Sequence, residues 1–163
     1  MKIEKLARVH AVEDFACGTE ALDRFLRRFA LVSQLANASQ TYVAVDGEEV
    51  IGYYTLVVGE VRFDAAPDRM RKGLSRHPVP VMVLARLAIA STRQGEGLGQ
   101  WLLKDAILRT LQAADIAGIR AFVVHAKDDV ARRYYLRFRF AEGFVDPLHL
   151  YVLTKDLKAL LGL

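Results

Sequence analysis

Three glycines in five residues, Gly95, Gly97 and Gly99, stand in the stretch Gln94-Gly95-Glu96-Gly97-Leu98-Gly99. An apolar run, Val81 to Ala90, precedes it and the helix-patterned Leu98 to Ala114 comes after. Glycine lets the backbone turn tightly with its N–H groups aimed at one point, and a helix start behind the turn adds partial positive charge there. Such a stretch is built to cradle a phosphate. The dinucleotide fingerprint needs a glycine where Gln100 stands, and the ATP-binding loop needs a Gly-Lys-Ser/Thr ending that is absent. What remains is a Gln/Arg-x-x-Gly-x-Gly/Ala pattern, set against the plainer reading of a glycine-rich turn at a helix start. Arg86 is the other conspicuous residue. A charge inside an apolar strand is expensive unless it meets a carboxylate or a phosphate, so a structural ion pair and a substrate contact both stand open.

Composition removes several classes. The chain has 163 residues, 53% of them hydrophobic and 26% charged, which suits one sizeable core and predicts a single domain over residues 1–163. Apolar stretches such as Val79 to Ala85 fall far short of the roughly 18 to 20 residues of a membrane span. Lys2, Glu4 and Lys5 stand where a signal peptide would be apolar, so a cytoplasmic protein is expected. Cys17 is the single cysteine and the four histidines show no ligand spacing, so no metal is expected. The formal charge of +4 is modest but uneven. Arg24, Arg27 and Arg28 cluster in one segment and Arg69, Arg71, Lys72 and Arg76 in another, as solvated faces or as contacts to a phosphate-rich partner.

The elements that must position these residues can be read from the pattern. Ile3 to Val9 alternates as an edge strand. Thr19 is placed to cap a helix whose Leu22, Phe25, Leu26 and Phe29 form a core-facing stripe opposite the arginines. Thr41 to Val45 and Val50 to Val58, joined through Asp46-Gly47, read as a hairpin. Asp64 to Pro80, basic and broken by Pro67, Gly73, Pro78 and Pro80, reads as an exposed, mobile loop with room for a short helix. Val81 to Ala90 reads as a strand buried on both faces. A helix with Leu102, Leu103, Ala106, Ile107 and Leu111 inward comes next, then a strand at Ile119 to His125. Asp128 or Asp129 caps a second helix through Tyr134 and Tyr135, Phe144 and Leu148 to Thr154 supply closing strands, and Lys155 to Leu161 a tail helix. Together these predict an α/β fold, a mixed central sheet flanked by helices.

The glycine pattern and this order of elements resemble the GNAT N-acetyltransferases. The resemblance implies that Gln94, Gly95, Glu96, Gly97, Leu98 and Gly99 wrap the pyrophosphate of acetyl-coenzyme A. It places Leu87, Ala88 and Ile89 along the pantetheine arm, bonding through the backbone as an added strand does. The family's later helix commonly reads Ala-x-x-Phe-Tyr-x-x-x-Gly-Phe. Here the match is Ala131-Arg132-Arg133-Tyr134-Tyr135-Leu136-Arg137-Phe138-Arg139-Phe140. Tyr135 falls on the tyrosine that gives the departing thiolate its proton, Tyr134 on a packing position. Arg139 departs from the pattern where glycine suits a left-handed cap, which implies a cap built differently.

A narrower likeness covers the first half as well. Phe15-x-Cys17-Gly18-Thr19-x-x-Leu22-Asp23-x-Phe25-Leu26, then Thr41-Tyr42-Val43-Ala44, then Arg86-Leu87-Ala88-Ile89 resemble the GNAT toxins of type II toxin–antitoxin pairs. The resemblance implies acetylation of the α-amine of aminoacyl-tRNA and a block of translation. It also implies a homodimer and a ribbon-helix-helix antitoxin whose tail covers the site. On this reading Arg27, Arg28, Arg71, Lys72, Arg76 and Arg86 meet tRNA phosphates. A GNAT enzyme for a small amine or protein N-terminus and a non-catalytic acyl-coenzyme A binding module are the alternatives. The proton donor at Tyr135 argues against the latter. Cys17 lies far in sequence from the motif with no activating base beside it, so direct transfer is expected.

Overall fold

The computed structural model describes residues 1–162. The apolar runs form six strands: β1 (Lys2–Lys5), β2 (Gln40–Asp46), β3 (Glu49–Val61), β4 (Val79–Ile89), β5 (Ala121–His125) and β6 (His149–Leu153). They make a mixed sheet in the order β1-β2-β3-β4-β5-β6, with β4 and β5 parallel. Helices flank it: α1 (Glu20–Arg24), α2 (Ala30–Leu35), α3 (Asp68–Arg71), α4 (Leu98–Ala114), α5 (Asp129–Arg137) and α6 (Thr154–Leu160). No described helix is long and apolar enough to cross a membrane. The chain divides into two units, one of Met1–Val57 with Ala85–Ala106, the other of Val58–Leu84 with Ile107 onward.

In the first unit, β1 pairs antiparallel with β2, and β2 with β3 through the expected hairpin, whose turn glycine, Gly47, has φ +63°. The first strand is shorter than the alternation suggests. It stops at Lys5, and residues 7–10 turn instead, held by His10, whose Nδ1 accepts from Ala7 N–H at 2.8 Å and whose Nε2 meets Glu4 at 2.7 Å. Leu6, Phe15, Leu26, Val43, Tyr53 and Ala88 form the core. Phe15 meets the Tyr53 ring edge-on at 5.6 Å.

The arginine-rich helix departs from expectation in two ways. Thr19 makes no side-chain cap; the buried carboxylate of Asp23 reaches back instead to Cys17 N–H at 2.8 Å. A π-helical turn, Phe25–Phe29, separates α1 from α2. Such a turn adds a residue per cycle and so rotates the helix beyond it about its axis. Leu26 and Ala30 are buried, whereas Phe29, expected inward, is 53% exposed.

In the second unit, Val81–Leu84 of β4 pairs with Ala121–Val124 of β5, and β5 pairs antiparallel with β6. Met70, Val79, Val81, Val123, Tyr151 and Leu153 pack together. The expected loose basic loop is in fact anchored. It holds a 3-10 turn, Phe63–Ala65, and α3, with Met70 fully buried. Arg120 donates to the Met70 and Lys72 carbonyls at 2.8 and 2.9 Å. One closing strand forms, not several: Phe144 lies outside β6 and sets its ring edge-on against Tyr151 at 5.9 Å, while Ala141 makes a single bridge to Tyr151.

Candidate active site

The glycine stretch lies at the head of α4, in the first unit. Gly95 and Gly97 have φ of +83° and +81°, a region that glycine enters freely and L-residues resist. A Cβ added at either would meet nothing within 4 Å, so the backbone faces open space where a ligand has room. The Leu98 side chain is buried, leaving its backbone as the part available to a ligand, and Gly99 lies in the first turn of the 17-residue helix. A phosphate at this point receives backbone N–H groups and the positive end of the α4 dipole. These residues fit a pyrophosphate.

Two side chains of the motif serve the loop itself. The Gln94 amide donates to the Cys17 carbonyl at 3.1 Å and the Ile89 carbonyl at 3.2 Å, tying the loop to the end of β4 and to the Phe15–Thr19 segment. Ser91 N–H adds a bond to the Ala16 carbonyl at 2.8 Å. A carboxylate such as Glu96 would repel a phosphate, but Arg93 Nε grips it at 3.1 Å while its Nη1 meets Asp46 at 3.0 Å. Both carboxylates hold the Arg93 guanidinium charged. Arg93 was not singled out from the sequence; an arginine directly before the motif and three residues from its acid was the available signal.

β4 leads into the loop. Its pairing with β5 runs from Val81 to Leu84, and the strand then continues to Ile89 through Leu87, Ala88 and Ile89. Ala88 is buried and Leu87 and Ile89 are partly so. Gly52 of β3 backs this segment: a Cβ there would come within 2.9 Å of Ile89, 3.0 Å of Leu102 and 3.1 Å of the Ala88 carbonyl oxygen. Gly52 therefore sets how closely β3, β4 and α4 approach, a role no motif announced. Arg86 has no ion pair among the described residues; its guanidinium sits over the Phe25 ring, 3.6 Å from the centroid. Burial raises the Tyr53 hydroxyl's pKa well above its usual value, with Arg86 opposing and Cys17 and Asp23 reinforcing. Arg27 is spent on the Phe15 carbonyl at 2.5 Å. Arg28 is exposed and forms no ion pair among the described residues.

Tyr135 lies in the second unit, on α5, whose start is capped as expected by Asp128 accepting from Ala131 N–H at 2.8 Å. Its ring is 7% exposed and packs edge-on against Phe140 at 5.4 Å. Burial, with Tyr134 adding to it, pushes its pKa far up, so the phenol stays protonated. The Tyr53 hydroxyl donates a hydrogen bond to the Leu22 carbonyl and the Tyr54 hydroxyl one to Asp105, whereas the Tyr135 hydroxyl makes no hydrogen bond among the described residues. The Tyr134 hydroxyl is buried without a hydrogen-bond partner among the described residues, and burial raises its pKa too.

The end of α5 corrects one expectation. Arg139, at the family's glycine position, takes φ +66° itself. Phe140 N–H bonds the Tyr135 carbonyl at 3.2 Å and Arg139 N–H the Leu136 carbonyl at 3.1 Å, which is the Schellman pattern. The cap is the one a glycine would make, built with an arginine. In the same unit, Arg71 reaches Asp68 at 2.8 Å and the Phe63 carbonyl at 3.3 Å, and the Arg71 and Arg76 guanidinium groups lie 5.6 and 5.5 Å from the Phe63 ring centroid. Lys72 is exposed. Among the described residues no group of three or more His, Cys, Asp or Glu is placed to hold a metal ion.

Residues 5–140 match the model of the acetyltransferase (GNAT) family. The chain belongs to that family. This GNAT chain is 44% identical, over 93% of its length and 90% of the relative's, to a tRNA-acetylating toxin of Mycobacterium tuberculosis (strain ATCC 25618 / H37Rv). It superposes with a TM-score of 0.88 on AtaT complexed with acetyl-methionyl-tRNAfMet, at 26% identity over 98% of both chains. It also resembles a Tyr-to-Phe mutant of the AtaT toxin bound to the C-terminus of the antitoxin AtaR and acetyl-CoA, with a TM-score of 0.83 and 25% identity over 99% of this chain and 98% of that one.

Proposed function

We propose that this GNAT chain acts as one acetyltransferase domain and moves the acetyl group of acetyl-coenzyme A onto the α-amine of aminoacyl-tRNA, blocking translation. The observation that carries the reading is the open glycine cradle at the head of α4, in a chain so similar throughout to a tRNA-acetylating toxin. Acetyl-coenzyme A supplies an activated thioester. Gly95, Gly97 and the head of α4 hold its pyrophosphate, Gln94 and Arg93 keep the cradle in shape, and the backbone of Leu87, Ala88 and Ile89 bonds the pantetheine arm. The amine nitrogen forms the new bond to the acetyl carbon as the C–S bond breaks. The amine's proton leaves to water, and Tyr135 gives its phenolic proton to the departing sulfur and recovers one from solvent. Arg28, Lys72 and Arg76 have exposed cationic groups for tRNA phosphates; Arg27, Arg71 and Arg86 contribute charge from tethered side chains. The partners on this reading are a second copy of the chain and a ribbon-helix-helix antitoxin, and charged tRNA places the reaction in the cytoplasm.

Labelled acetyl-coenzyme A incubated with charged tRNA tests the reading directly. Label should pass to the aminoacyl group, and Tyr135→Phe should lower turnover on the order of a hundredfold while leaving cofactor binding nearly intact. Tyr134→Phe, which removes only an orphaned hydroxyl, is the control. Ready acetylation of spermidine or a peptide with charged tRNA left unmodified would overturn the tRNA reading in favour of a small amine or protein N-terminus.

A further inference from the structure

The second unit carries a cavity that the acetyl-transfer reading does not use. It measures about 280 Å³, several times the ~30 Å³ share of one liquid water. Its apolar wall includes Ala141, Leu153 and Leu160, and its charged residues are Arg69, Arg139 and Asp156. Arg69 is paired with Asp156 at 3.2 Å. Arg139 has no hydrogen bond or ion pair among the described residues, so its guanidinium is the charge at this cavity that they leave uncompensated. An apolar wall lowers the local dielectric and strengthens the pull of that charge on an anion.

The backbone gives an independent reason to look here. Arg139 is held at φ +66°, a conformation in which its Cβ crowds the following carbonyl and which glycine would take without strain. Among the described residues its side chain makes no hydrogen bond or ion pair that would offset this. Strain of this kind, kept at a position with an obvious relaxed alternative, points to a role outside folding.

We propose that Arg139 and Arg69 form a phosphate subsite that takes one backbone phosphate of the nucleic-acid substrate. The inference rests on the aminoacyl-tRNA reading and adds to it the contact made at the end of the helix that carries Tyr135. A guanidinium presents a planar fork of N–H donors that matches two phosphate oxygens. Asp156 holds Arg69 in place and neutralises it in the absence of substrate, leaving Arg139 as the attracting group. The segment that supplies Arg69 also carries exposed Lys72 and Arg76, the latter over the Phe63 ring, so cations recur along it as a phosphate backbone requires. A single carboxylate of an acidic peptide would leave that row unused.

Arg139→Gly is a clean probe because it removes the cation and relaxes the cap together. Binding of bulk aminoacylated tRNA, measured without acetyl-coenzyme A between 50 and 200 mM salt at about the range where such contacts respond, should weaken about tenfold at the low end. The slope of log affinity against log salt should flatten by roughly 0.7 to 0.9. Melting temperature should hold or rise, and Arg139→Lys, which keeps the charge, should retain most of the slope. Unchanged affinity and slope in Arg139→Gly, with wild-type protein binding and acetylating charged tRNA, overturns the subsite and leaves the tRNA reading standing. Loss confined to binding of an antitoxin C-terminal peptide also overturns it, in favour of an antitoxin seat. Failure of wild-type protein to bind charged tRNA at all removes both.

Discussion

Tyr135 and Tyr53 show how one residue type is put to different uses by its surroundings. Both phenols are buried and both are pushed well above the ordinary tyrosine pKa, but Tyr53 is bonded to a carbonyl and Tyr135 has no hydrogen bond among the described residues. A group whose folded pKa lies above its unfolded value of about 10 stabilises the protein fully below pH 10 and loses that contribution as pH rises through the window above it. In that window the unfolded chain has released the proton and the folded one has not. Each such phenol therefore steepens alkaline unfolding by about 1.4 kcal/mol per pH unit. Urea unfolding at pH 9, 10 and 11, in about the range set by that reference value, should show Tyr135→Phe losing less stability than wild type above pH 10. Equal losses would mean that Tyr135 ionises in the folded protein, which is incompatible with a phenol kept protonated for donation. Arg139 makes the complementary point: glycine there would relieve roughly 1 to 2 kcal/mol of left-handed strain.

At the scale of elements, the cradle depends on how closely β3, β4 and α4 meet. Gly52 is the spacer: an added methyl presses on Ile89 and Leu102, which can shift, and on the Ala88 carbonyl oxygen, which belongs to the strand backbone. Gly52→Ala should destabilise the protein by about 1 to 3 kcal/mol, as overpacking does, and weaken acetyl-coenzyme A binding by displacing Leu87 to Ile89. Calorimetric melting and cofactor titration of the same variant check both, and an unshifted melting temperature would show that the strands separate without penalty. The π-helical turn acts on its own helix. By rotating α2 it buries Ala30 and leaves Phe29, Val32 and Leu35 exposed, so the outer face carries apolar residues beside arginines.

For the whole molecule, a ligand that binds only the folded chain stabilises it by mass action. Acetyl-coenzyme A at a hundredfold excess over its dissociation constant should add about 2.7 kcal/mol. Gly97→Val should abolish this shift, because valine resists φ +81° and its side chain enters the open space in front of the loop. A full thermal shift in that variant would remove the cradle from the cofactor site.

Much of this was legible in the sequence. Positive φ at Gly47, Gly95 and Gly97, the Asp128 cap and the inward stripe of α4 obey local steric and periodic rules that act within a few residues. The family was readable from the glycine pattern and the order of elements. Other features depended on residues distant in the chain. Glu96 is tolerable in an anion cradle because Arg93 pairs with it, and Arg93 is itself held in place by Asp46, 47 residues away. The basic segment is anchored because Arg120 finds its carbonyls across 48 to 50 residues. Arg86 faces a ring and not a carboxylate because the Phe25 helix packs there. Phe29 was misplaced because 3.6-residue periodicity is blind to a π-helical turn, and Arg139 because a cap's geometry is imposed by its hydrogen bonds even where the residue resists it. Short-range sterics and periodicity are written in the order of residues, whereas the partner of a buried charge is chosen only when distant segments meet.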